Sequence, residues 1–97
     1  MTSQLPLDGE QLQDELDKLG QRIKRLREER GWSQDTFAHM VGMNRAYPNK
    51  IEKAKIDVRY TTLVRMAHVF GLTVGELLTF PFVPATSATE REDPPRP

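Results

Sequence analysis

Three glycines punctuate this chain, and each closes a stretch whose apolar residues recur at the spacing of a helix. Leu12, Leu16, Leu19, Ile23 and Leu26 alternate in steps of four and three before Gly31. Phe37, Met40 and Val41 share one face before Gly42, and Leu63, Met66, Ala67 and Phe70 share another before Gly71. Glycine is the favoured residue just past a helix because it enters the left-handed region without a steric penalty. The chain is therefore expected to be all-α, a succession of short amphipathic helices with no convincing strand.

The polar residues that precede these stretches fit helix starts. Asp8, with Gln11 three residues on, opens the first helix, and Ser33 can accept from the free amides of the second. Asn44 is expected to cap a third, short and basic helix running to about Lys53 with Ile51 facing inward. Thr73 and Glu76 form a capping box for a fifth, which brings in Leu77 and Leu78. Gly20 interrupts the first stretch and should weaken it, yet a nearly continuous helix remains the expectation.

The chain has 97 residues, which suits one domain, and no cysteine, so neither a disulfide nor a thiolate metal site can hold it. Its start lacks a basic, apolar leader, and no apolar run reaches the roughly 18 residues of a membrane span, so a cytoplasmic protein is expected. Lys and Arg number 14, as do Asp and Glu, for a net charge of +0. That balance conceals an asymmetry. The segment from Gly20 to Thr79 carries most of the basic residues and fewer than half of the acidic ones, while both flanks lean acidic. A basic centre points to a polyanionic partner if its cations share a face.

Two short helices around a tight turn at Gly42, the second bearing Arg and Lys, have the form of a helix-turn-helix. The stretch LGQRIKRLREERGWSQDTFAHMVGMNRAYPNKIEK, followed by TTLVRMAHVFGLTVGELL, strongly resembles the Cro/CI-type (XRE) helix-turn-helix family over about sixty residues, from Leu19 to Leu78. The matching residues include Arg27, Ser33-Gln34, Phe37-Ala38, Gly42 and Ile51-Glu52. The resemblance implies a five-helix, lambda-repressor-like domain over residues 19–79. Residues 1–18 would be an amino-terminal arm or helix extension, and the proline-rich residues 80–97 a mobile tail. It also implies a sequence-specific regulator that binds double-stranded DNA as a homodimer on an operator. Controller proteins of restriction-modification systems and antitoxins look similar, so a subunit that mainly serves protein–protein interaction is the alternative.

By this resemblance, Asn44, Arg45, Ala46 and Lys50 occupy the base-reading positions. Arg45 can form a two-pronged pair with guanine O6 and N7, Lys50 can reach the same edge, and Ala46 can pack on a thymine methyl. Gln34 resembles a phosphate clamp aided by Ser33. Tyr47, Asn49, Lys53 and Lys55 are further phosphate partners around the face. Arg27 and Glu52 are expected to form a structural ion pair that braces the third helix. Arg22, Lys24 and Arg25 are weaker phosphate candidates, and a charged, solvated outer face of the first helix is the better reading of them.

The sequence departs from the family pattern at two places. Pro48 stands where an inward Ile or Leu is usual, which removes an apolar anchor and a backbone donor. A third helix beginning at Pro48, with residues 44–47 as a reading loop, is the competing arrangement. Ala54 replaces a common glycine, so a left-handed cap there would carry strain.

Nothing suggests catalysis or a cofactor. His39 and His68 are isolated among helical residues, without a paired carboxylate, a cysteine or a metal-ligand spacing. For the dimer, Leu77, Leu78, Phe80 and Phe82, with Val83, form an apolar cluster at the end of the expected fold. The arm bearing Leu5, Leu7, Leu12 and Leu16 is the other candidate.

Overall fold

The computed structural model describes residues 5–79. Among them are five helices and no strand: α1 (Gly9–Glu29), α2 (Gln34–Val41), α3 (Tyr47–Glu52), α4 (Tyr60–Phe70) and α5 (Val74–Leu77). The tail expected at 80–97, with Phe80, Phe82 and Val83, lies outside the described residues.

The helix ends follow the local signals. Asp8 Oδ1 accepts from the Gln11 N–H at 2.8 Å, and the Gln11 side chain accepts from the Asp8 N–H at 2.9 Å, which completes a capping box. Ser33 and Thr73 cap α2 and α5 in the same manner, Thr73 with its reciprocal Glu76. Gly42 and Gly71 end α2 and α4 with φ of +83° and +76°.

The third helix begins later than the Asn44 cap would place it. Pro48 has no N–H, so a helix started at Asn44 could not close its first bond from residue 48 back to the Asn44 carbonyl. That carbonyl instead accepts from the Tyr47 N–H at 2.9 Å, and α3 begins at Tyr47 with Pro48 in its first turn. The outcome is close to the competing arrangement, displaced by one residue. Nor is the apolar anchor missing, because Pro48 is itself among the fully buried side chains.

The core gathers Leu19, Ile23 and Leu26 of α1, Phe37 and Val41 of α2, Ile51 of α3, Met66, Ala67 and Phe70 of α4, and Leu77 of α5. Trp32, Phe37 and Phe70 stack beside it, with 5.0 Å between the Phe37 and Phe70 centroids. Not every residue of the expected apolar faces is buried. Met40 is exposed, since its neighbours Phe37 and Val41 take the inward positions on so short a helix. Leu12 is also exposed and Leu16 half-buried, because the first turns of α1 extend beyond the helices that cover Leu19 and Ile23.

Gly20 does not divide α1, which runs unbroken through it. A Cβ at this position would stand 2.7 Å from the carbonyl oxygens of both Ile51 and Glu52. The absence of a side chain therefore lets α1 approach the end of α3 more closely than any other residue would permit.

Candidate nucleic-acid interface

The inward side of α3 is fixed by contacts to two other elements. Arg27 of α1 donates through Nε to Glu52 Oε2 at 2.7 Å and through Nη2 to Glu52 Oε1 at 3.0 Å. Its Nη1 donates to the Trp32 carbonyl at 2.8 Å, so all three guanidinium nitrogens are engaged. The side chains are 10% and 4% exposed. The hydrogen bond with Glu52 holds the Arg27 pKa above its ordinary value, against burial, which acts to lower it. Two buried charges that satisfy one another in this way add little net stability but are costly to separate.

Glu52 has a third donor. Gln34 Nε2 reaches Glu52 Oε1 at 3.0 Å, which ties the first residue of α2 to the last of α3. The side-chain amide expected to clamp a phosphate is therefore turned to a buried carboxylate. What Gln34 offers a phosphate in this arrangement is its backbone N–H in the first turn of α2. Ser33 is similarly occupied, since its Oγ accepts from the Thr36 N–H at 3.0 Å while its hydroxyl lies 3.0 Å from Thr36 Oγ1.

The far end of α3 is closed by a left-handed residue. Ala54 has φ of +57°, its N–H donates to the Ile51 carbonyl at 3.0 Å, and the Lys55 N–H donates to the Lys50 carbonyl at 2.9 Å. This is the double bond pattern usually completed by glycine, here made by alanine in a conformation that L-residues disfavour. Gln13 Nε2 donates to the Ala54 carbonyl at 2.9 Å, so the extended part of α1 supports the same joint.

Most of the residues expected to meet DNA are open to solvent. Asn44, Arg45, Ala46, Asn49, Lys50, Lys53 and Lys55 are all exposed. Asn44, Arg45 and Ala46 lie in the turn before α3 rather than on the helix, and Lys50 lies on it. Asn44 Oδ1 accepts from the Ala46 N–H at 2.8 Å, a local bond that fixes the turn rather than capping the helix. Tyr47 is half-buried and packs against the core, so only part of it remains for a phosphate.

Several contacts here carry no sequence signal, because they join residues far apart in the chain. Arg22 is not part of a solvated face: its Nε and Nη2 donate to the Leu77 and Glu76 carbonyls at 3.0 and 2.8 Å, which caps the end of α5. Arg45 Nη2 donates to Asp35 Oδ2 at 3.1 Å. Arg65 of α4 brings a further cation beside Gly42, its Nη1 being 3.9 Å from where a Cβ there would stand.

A second surface is apolar. Leu12, Leu16, Leu19, Val58, Leu63 and Leu78 line a groove of about 540 Å³, with Glu15 and Asp57 at its edge. Leu77 does not reach it. With 0% exposure that residue belongs to the core and is unavailable to a second chain. Among the described residues, no group of three or more His, Asp and Glu is placed to hold a metal ion, and no helix is long and apolar enough to cross a membrane.

Comparison with known proteins agrees with this geometry. The helix-turn-helix family profile matches residues 23–77. The HTH-type transcriptional regulator RamB of Mycobacterium tuberculosis is 37% identical over 54 residues, which is 56% of this chain but 11% of RamB. The chain thus spans only a small part of that relative. Among solved structures, the restriction-modification controller protein C.AhdI from Aeromonas hydrophila superposes with a TM-score of 0.64 at 31% identity, covering 66% of this chain and 97% of that one. The biofilm master regulator SinR, solved in complex with DNA, gives a TM-score of 0.57 at 31% identity, covering 62% and 97%.

Proposed function

The chain belongs to the Cro/CI-type (XRE) family of DNA-binding helix-turn-helix transcriptional regulators, and from that premise we propose that it is a cytoplasmic operator-binding protein acting as a dimer. The observation that supports this reading most is the contrast across α3. Arg45 and Lys50 are exposed beside a helix whose other side is held by Arg27, Gln34 and Gly20. Residues 19–79 form the DNA-binding unit in this reading, with the first turns of α1 as its extension.

The contacts divide by chemistry. Arg45 offers guanine O6 and N7 a planar pair of N–H donors, Lys50 approaches the same edge, and Asn44 and Ala46 flank them. Phosphates are met by the α2 backbone N–H groups, Asn49, Lys53 and Lys55, with Ser33 and Tyr47 at the margin. One such unit covers a limited stretch of duplex, and two related by a two-fold axis would reach half-sites about one helical turn apart. The apolar groove supplies a surface for that pairing. It unites Leu12 and Leu16 of the arm with Leu78 of the carboxyl-terminal end, the two regions that the sequence offered as rivals.

Selection of bound sequences from random duplexes, followed by affinity measurements over a salt series, tests the proposal. A selected site should bind at least ~10³-fold more tightly than a scrambled one, with affinity falling steeply as salt rises. A protein-binding module on the same fold would show neither behaviour, and that result would overturn the reading. For the dimer, Leu78→Glu should convert a concentration-dependent mass in analytical ultracentrifugation into that of a monomer. An unchanged mass would place the pairing surface elsewhere.

A further inference from the structure

Only two carboxylates lie between Ser33 and Lys53, and they have opposite surroundings. Glu52 is buried against Arg27, whereas Asp35 stands on the exposed side, next to the residues proposed to meet DNA. An exposed carboxylate on a face that must approach a polyanion lowers affinity for every duplex, whatever its sequence. Its presence calls for a gain other than affinity. Stability is not that gain. The Arg45 and Asp35 side chains are 79% and 64% exposed, and pairs so wet contribute little.

The gain lies in what Asp35 does to Arg45. Asp35 is held in the first turn of α2, next to the capped amino terminus, where a negative charge is favoured. Arg45 is anchored in a turn closed by the Asn44 side chain and by the Tyr47 N–H. Both backbones are thus set before any partner arrives, and the 3.1 Å bond joins the two side chains across the turn. A guanidinium has five N–H groups, so with one given to Asp35 a two-pronged set remains for guanine. The same bond restrains the rotation of a long side chain and partly neutralises its charge. A paired arginine is a poorer partner for a phosphate, which any sequence supplies, and a better one for the planar guanine edge.

We propose that Asp35 is a specificity-determining residue of the DNA interface, which holds Arg45 in a base-reading pose and suppresses its attraction to phosphates. Asp35 itself acts through Arg45 and is a positioning residue. This inference rests on the reading of the face as an operator-binding surface.

The test uses Asp35→Asn in the full chain, with duplexes obtained by selection on the unmodified protein. The variant should stay folded and lose at most a few degrees of melting temperature, since the pair is exposed and a charge at a helix start contributes under ~1 kcal/mol. It should bind a scrambled duplex more tightly, with a salt slope steeper by about one unit as Arg45 becomes free to take a phosphate. Preference for the guanine assigned to Arg45 should fall about tenfold. In an Arg45→Ala background the same substitution should leave base preference unchanged, which a merely structural role for Asp35 would not produce. If the unmodified protein selects a site and Asp35→Asn keeps the same preference and salt slope, this inference falls while the operator reading stands. Equal loss of preference in both backgrounds would also overturn it. If the unmodified protein selects no site, the operator reading fails and the inference fails with it.

Discussion

The two sides of α3 are held by different means. On the inner side, a buried carboxylate accepts three hydrogen bonds, an unbranched backbone approaches at Gly20, and Pro48 and Ile51 fill the core. On the outer side, the turn residues and Lys50 stand in solvent, and the ion pair between Arg45 and Asp35 is exposed. The difference separates two tasks. The inner contacts set where the helix lies, so the outer side chains can change without moving it, and a reading surface needs that independence.

The comparison predicts that inner substitutions act on stability and outer ones on binding. The largest effect is expected from Glu52→Ala, which leaves the Arg27 guanidinium buried without its partner and should cost ~3–5 kcal/mol in urea denaturation. Arg27→Met combined with Glu52→Leu should recover most of that loss, because no unpaired charge then remains. A double variant as unstable as the single one would show that the brace matters through something other than charge.

Gly20→Ala should follow, at ~1–3 kcal/mol, because α1 and α3 must move apart to admit one methyl group. Ordinary helix propensity favours alanine over glycine by ~1 kcal/mol, so the sign of this change is a direct check on the close approach. Arg45→Ala tests the outer side. Its stability should stay within ~0.5 kcal/mol of the original while base discrimination at one position falls by ~1–3 kcal/mol. A large fall in melting temperature for Arg45→Ala would break the division between the two sides.

The smallest effect is expected at the joint between them. Ala54→Gly relieves a left-handed alanine but removes a buried methyl worth ~0.8 kcal/mol, so the two contributions nearly cancel. A change in thermal stability well outside ~1 kcal/mol in either direction would show that one of them dominates.

Much of the fold was legible because its signals are local. Caps at Asp8, Ser33 and Thr73 and the stops at Gly42 and Gly71 depend on residues within four positions of one another. The start of α3 was harder to read, since Asn44 as a cap and Pro48 as an early helical residue are both favourable local choices. The missing N–H of Pro48 decided between them, and the Asn44 side chain was left to close the preceding turn. Leu12 is exposed although it lies on the apolar stripe of α1, because a periodic stripe shows which face is apolar but not how far the neighbouring helices extend.

The order and type of the helices, the turn at Gly42 and the basic character of the segment around α3 were determined by sequence alone, because each follows from spacing and side-chain chemistry within a few residues. Tertiary structure decided which partner each polar group takes. It turned Gln34 to Glu52, Arg22 to the end of α5 and Arg45 to Asp35, and it made Gly20 a point of contact rather than a break. The physical reason is that an arginine or glutamine carries several donors on a long, rotatable chain, and only the position of the other helices determines which acceptor lies within 3 Å.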